Sequence, residues 1–184
     1  LISPVGLDVA TGWRNVAGGC SGIRPITLFD VGGDAWRVKI AGEAWGFDPL
    51  NYMTAKEARR ADRGVQFALA AAAEAVSQAK LPITSATADD IGVMIGSGSG
   101  GIWTYTAQQA ILDAKGPQRM NPLLIPMEVV DSAGVQVGIK YGAHGPNFGL
   151  ASACSTGAAA RSRTTSATST RRSRACSAIS TRWR

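Results

Sequence analysis

Residues 147–160 read NFGLASACSTGAAA, an apolar extended run that passes through a cysteine into a helix-forming stretch. No other segment constrains the chain so tightly, because it requires a strand to turn directly into a helix at Cys154. Ala151, Ala153, Ser155, Gly157 and Ala158 keep that turn small, so the backbone can bend sharply and leave room beside the sulfur. A helix N-terminus aimed at the thiol favours its thiolate by about 0.3–1 kcal/mol, and up to about 2 kcal/mol when partly buried. Such a thiolate suits acyl transfer through a thioester. A buried structural cysteine fits the same local pattern, and the pattern by itself leaves both readings open.

The composition changes abruptly after this junction. Residues 161–184 hold seven Arg and no acid among Ser, Thr and Ala, with no apolar stripe long enough for a core element. The first 160 residues carry 12 Lys plus Arg against 13 Asp plus Glu, so the formal charge of +6 belongs to the tail. A basic tail of this kind suits nucleic acid or an anionic membrane. Its onset, where a helix should continue, points instead to an aberrant reading frame or a truncated product, with residues 1–160 forming an incomplete domain. The chain does not begin with Met and is expected to start inside a longer protein. Three cysteines at irregular spacing form neither a disulfide framework nor a metal site, which suits a reducing cytoplasm. No run approaches a membrane span, and LISPVG lacks the pattern of a secretory signal.

The first 55 residues are rich in Gly breaks, with a short helix expected over Val9 to Val16. Helical periodicity begins at Lys56 and runs to Ala79. Ala58, Ala61, Val65, Ala68, Leu69, Ala72, Val76 and Ala79 share one narrow face suited to close packing. The other side carries Lys56, Arg59, Arg60 and Arg63, only partly balanced by Glu57 and Asp62, and on charge alone reads as a solvated face. Residues Ile91 to Gly96 read as a buried strand, and GSGSGG leads from it into a helix over about Trp103 to Ala114. Gly96, Gly98 and Gly101 satisfy G-x-G-x-x-G, yet the second strand with its terminal acid is missing. Prolines at 117, 122 and 126 stand there, and Glu128 and Asp131 fall in a helix expected over about Met127 to Lys140. Close backbone packing near a ligand explains these glycines better than a dinucleotide. That helix should end at Gly142, before a loop into the strand that precedes Cys154. His144, the single histidine, reads as an exposed loop residue, because the strand separates it from Cys154.

Five segments together carry a resemblance: GCSGIRPITLFD, DPLNYMTAKEARRADRGVQFALAAAAEA, IGVMIGSGSGGI, KGPQRMNPLLIPM and GPNFGLASACSTGA. From about Ile2 to Ala159 the chain resembles the N-terminal half of an elongating β-ketoacyl-acyl-carrier-protein synthase. The resemblance implies an α/β, thiolase-like fold of layered α-β-α-β-α type, of which only the N-terminal half is present, and a homodimer. It makes Cys154 the nucleophile that accepts the acyl chain before condensation with malonyl-acyl-carrier protein. The family's two histidines and lysine come from a C-terminal half not seen here, so this chain by itself is expected not to condense. The resemblance implies no cofactor and no metal, and neither a nucleic acid nor a membrane as partner. Lys56, Arg59, Arg60 and Arg119 match positions at which the family docks its acidic carrier protein, which reverses the solvated-face reading. Ser99, Leu124 and Ile125 match positions lining the acyl pocket, and a serine at 99 leaves the chain-length preference open. A polyketide ketosynthase piece, an inactive carrier-binding fragment and a basic nucleic-acid binder are the competing readings.

Overall fold

The computed structural model describes residues 1–151; Cys154 and the Arg-rich tail lie outside the described residues. Helix α1 (Val9–Ala17) matches its expected place and begins where Asp8 accepts the Thr11 N–H at 2.7 Å. Strands β1 (Arg24–Pro25) and β2 (Ile40–Ala41) form a minimal antiparallel pair within the loop-rich segment. Buried Glu43 pins the adjoining loop by accepting from the Thr27 N–H and Oγ1 and the Leu28 N–H.

The long helix expected from Lys56 is two helices. Helix α2 (Ala55–Ala58) is a single turn, and α3 (Arg63–Ala79) starts afresh after Asp62. Thr54 and Glu57 close a reciprocal capping box on α2, while the Asp62 carboxylate accepts the Gly64 N–H at 2.9 Å. An Asp that bonds the backbone ahead of it competes with helix continuation, so the periodicity survives while the helix breaks. Helix α3 ends with Lys80 in the left-handed region at φ 48°, and the Leu81 N–H reaches back to the Val76 carbonyl.

Strand β3 (Val93–Gly96) leads into α4 (Ile102–Lys115), then the short α5 (Leu124–Glu128), α6 (Ser132–Tyr141) and strand β4 (Asn147–Leu150). β4 lies parallel to β3, with Val93 opposite Asn147 and Gly96 opposite Leu150. The helix expected over Met127 to Lys140 is therefore split. Glu128 closes α5, Val129 is extended, and Asp131 stands at the N-cap of α6 rather than inside it. Pro126 occupies the third position of α5, where the first turn has no intrahelical N–H bond to lose. Helix α6 ends as expected, at Gly142 with φ 66°.

Met53, Val65, Leu69, Ala133 and Val137 form the core, with Val93 and Ile95 of β3 packed against it. The seam is close: a Cβ on Gly134 would stand 2.7 Å from the Asn147 Oδ1. Strand β3 was expected to be buried and is covered on one face only. Met94 and Phe148, paired in register, remain 46% and 55% exposed. Among the described residues no helix is long and apolar enough to cross a membrane.

Candidate functional site

The C-terminal ends of β3 and β4 meet at Gly96 and Leu150, and the Ser97 N–H donates to the Leu150 carbonyl at 2.9 Å. From there the loop 97–101 turns into α4. The Gly100 N–H donates to Ser97 Oγ at 3.0 Å, and the Gly101 N–H to the Glu128 carbonyl at 2.8 Å. Gly100 has φ 65°, and a Cβ there would sit 2.1 Å from the Glu128 oxygen; one on Gly101 would sit 2.3 Å from the Met127 oxygen. The loop thus lies flat on the end of α5, and a side chain at either position would lift it off. Of the glycines expected to pack closely, Gly101 does so, whereas a Cβ on Gly98 would meet open space; the Gly101 contact occupies an N–H that a bound phosphate would need.

This contact places the loop bearing Ser99 beside the helix bearing Leu124 and Ile125. Ser99 is exposed, Leu124 half-buried and Ile125 63% exposed. None of the three lines the cavity of about 150 Å³ beneath the loop, which is walled by Val65, Ile95, Ser97, Gly101, Val130 and Ala133.

Lys56, Arg59 and Arg60 are all exposed on α2 and the turn that follows it. None of them, nor Arg119, forms a salt bridge with another described residue. Glu57, the acid among them, is committed locally. Bonds from the Thr54 N–H and hydroxyl, aided by the Lys140 charge, hold its carboxyl below the usual glutamate value. Arg63, grouped with these cations by sequence, is diverted: its guanidinium lies 4.9 Å above the Phe67 ring and 5.9 Å from the Phe47 ring. Arg119 belongs to a 3-10 turn, Pro117–Arg119, tied to α4 where the Asn121 N–H donates to Gln108 Oε1 at 2.6 Å. His144 is exposed at the opposite end of β4, its Nδ1 3.5 Å from Asp89 Oδ1.

One residue that the sequence reading used only as part of a charge balance proves central. Asp62 is 4% exposed, and its carboxylate joins α3 to α4 through Thr104. An Asp immediately before an apolar helical run is an N-cap signal, legible in principle. Its distant partner is not.

The family described as beta-ketoacyl synthase, N-terminal domain, matches residues 1–178. That span runs beyond Ala159, where the sequence resemblance was placed to end, and into the Arg-rich segment. A 3-oxoacyl-[acyl-carrier-protein] synthase 2 of Staphylococcus aureus is 46% identical over 156 residues, covering 85% of this chain and 38% of the relative. The chain therefore spans well under half the length of that relative. Among solved structures, the ishigamide ketosynthase/chain length factor superposes with a TM-score of 0.68 at 25% identity, over 82% of this chain and 37% of the other. A type II polyketide ketosynthase, AntDE, solved with the acyl-carrier protein AntF, gives a TM-score of 0.59 at 17% identity, over 79% and 38%. These likenesses make the fold an α/β, thiolase-like one, seen here in its N-terminal part. The chain belongs to the β-ketoacyl synthase family.

Proposed function

We propose that this chain is the N-terminal part of a condensing enzyme that elongates fatty acyl chains on acyl carrier protein. The 46% identity to the staphylococcal 3-oxoacyl-[acyl-carrier-protein] synthase 2 carries the reading, and it outweighs the ketosynthase neighbours at 25% and 17%. In this reading the Cys154 thiolate attacks the acyl thioester, the bond to the carrier's phosphopantetheine sulfur breaks, and that sulfur leaves as a thiol by taking up the proton that the Cys154 thiol gave up. Malonyl-carrier protein then loses carbon dioxide, and the resulting carbanion attacks the Cys154 thioester and releases the cysteine. Oxyanion donors for the decarboxylation, where removing one typically lowers the rate about 10²–10³-fold, come in the whole enzyme from beyond these residues. The enzyme is cytoplasmic and homodimeric and uses no metal or cofactor. Ser99, Leu124 and Ile125 line its acyl pocket.

The Cys154 assignment is tested by incubating the chain with acyl-carrier protein and locating the acyl mass by peptide mass spectrometry. One acyl group on the Cys154 peptide, absent in Cys154→Ala, is expected; label that persists in Cys154→Ala would refute the nucleophile.

Lys56, Arg59, Arg60 and Arg119 form the carrier-docking surface, supported by their exposure and their freedom from acidic partners among the described residues. Charge complementarity of this kind acts chiefly on association. Arg59→Glu with Arg60→Glu should slow association with the acidic carrier by about tenfold at low salt, with a much smaller change in dissociation. Stopped-flow traces that match wild type would exclude the patch.

A further inference from the structure

The N-cap of helix α4 is Gly101, which has no side chain to cap it, so the N–H of Thr104 in the first turn would be left without a partner. Asp62 supplies that partner from 42 positions away: its Oδ2 accepts the Thr104 N–H at 2.8 Å and the Thr104 hydroxyl at 2.7 Å. The other oxygen, Oδ1, caps α3 through the Gly64 N–H at 2.9 Å. One buried carboxylate therefore serves two helix N-termini, both of which favour its negative charge. Asp62 follows Arg60 by two residues, and Thr104 follows the loop 97–101 by three. The link thus runs from the turn bearing the exposed cations to the loop bearing Ser99. Thr104 is the one buried residue of α4, so that helix start is held by the Asp62 bonds together with the contact of Gly101 with the end of α5.

We propose that Asp62 is a positioning residue, a shared cap that sets the Ser99 loop against the Arg59–Arg60 turn, so that a carrier protein docked on the turn also steadies the pocket wall. The proposal rests on the carrier-docking reading above. Docking that orders the turn would restrict Asp62, and through its two bonds to Thr104 would restrict the start of α4. The loop 97–101 is held at its other end by β4, where the Ser97 N–H donates to the Leu150 carbonyl, so it would be clamped from both sides.

Amide hydrogen exchange on the 184-residue chain tests this, using wild type, Asp62→Asn and Thr104→Val with and without acyl carrier protein. Asn cannot offer acceptors on both sides, whereas Thr104→Val removes the hydroxyl bond and keeps the backbone N–H. Without carrier, exchange over residues 98–105 should quicken about tenfold in Asp62→Asn and less in Thr104→Val, with α6 unchanged. With carrier, wild type should slow at 59–62 and at 97–104 together, and Asp62→Asn at 59–62 alone. An equal quickening of α6 would reduce Asp62 to a general fold-holding residue and overturn the proposal, as would a carrier response at 97–104 that survives Asp62→Asn. Failure of carrier to slow 59–62 in wild type would refute the docking reading and the coupling with it; slowing at 59–62 without 97–104 would refute the coupling alone.

Discussion

At the scale of single residues, buried or locally bonded carboxylates fix several helix starts and one loop. Asp8 and Asp62 cap helices, Glu43 gathers a loop and Glu57 closes a capping box. Glu57 acts through its charged form, which gives its turn a definite pH dependence. Its folded carboxyl titrates below the ordinary glutamate value of 4.5, chiefly because it accepts from Thr54. A depressed folded pKa means that the contribution is complete above the unfolded value and is lost as the pH falls through the folded one. The protection of the Thr54 and Glu57 amides, taken relative to their intrinsic exchange rates at each pH, should therefore be full at neutral pH and fall in acid, below about 4.5. Glu57→Gln should flatten that limb. An acid limb unchanged in Glu57→Gln would show that the box does not control the turn.

At the scale of elements, the positions of turns and helix ends were legible where a side chain or a glycine imposes them locally. Gly142 ends α6 in the left-handed region, and the sequence placed it there. The breaks inside the two long expected helices were not read. At Asp62 the signal was present and lost within a charge run, while at Val129 the chain is extended because the Ser99 loop takes the Glu128 carbonyl, a contact between segments far apart in sequence. Helix α3 ends with the opposite irregularity: Lys80 holds φ 48°, a conformation that costs an L-residue about 1–2 kcal/mol and glycine almost nothing. After the extra backbone entropy of glycine in the unfolded chain, Lys80→Gly should raise stability by about 0.5–1 kcal/mol. Urea unfolding checks this, and a lower midpoint for the variant would contradict the left-handed cap.

At the scale of the whole molecule, the core is small for the length of chain it must hold. Leu69 sits at its centre between Val65 and Val137, flanked by alanines too short to fill a gap. Leu69→Ala should destabilise the fold by about 2–5 kcal/mol, a large part of a typical total of 5–15 kcal/mol. A thermal melt followed by circular dichroism should show a clearly lowered melting temperature, and an unchanged one would mean that the core lies elsewhere. The sequence by itself determined which faces are apolar, that β3 runs through a glycine loop into α4, and that α6 feeds β4, because periodicity and turn chemistry are properties of neighbouring residues. It also carried the family resemblance, since the motifs that express it are local strings. Only the tertiary structure decided that Arg63 leaves the cationic group to lie over Phe67, that Gly100 and Gly101 are small because α5 lies against them, and that Asp62 caps a helix beginning 40 residues later. Each of these depends on which distant backbone or ring comes within about 3–5 Å, and that is set when the layers pack.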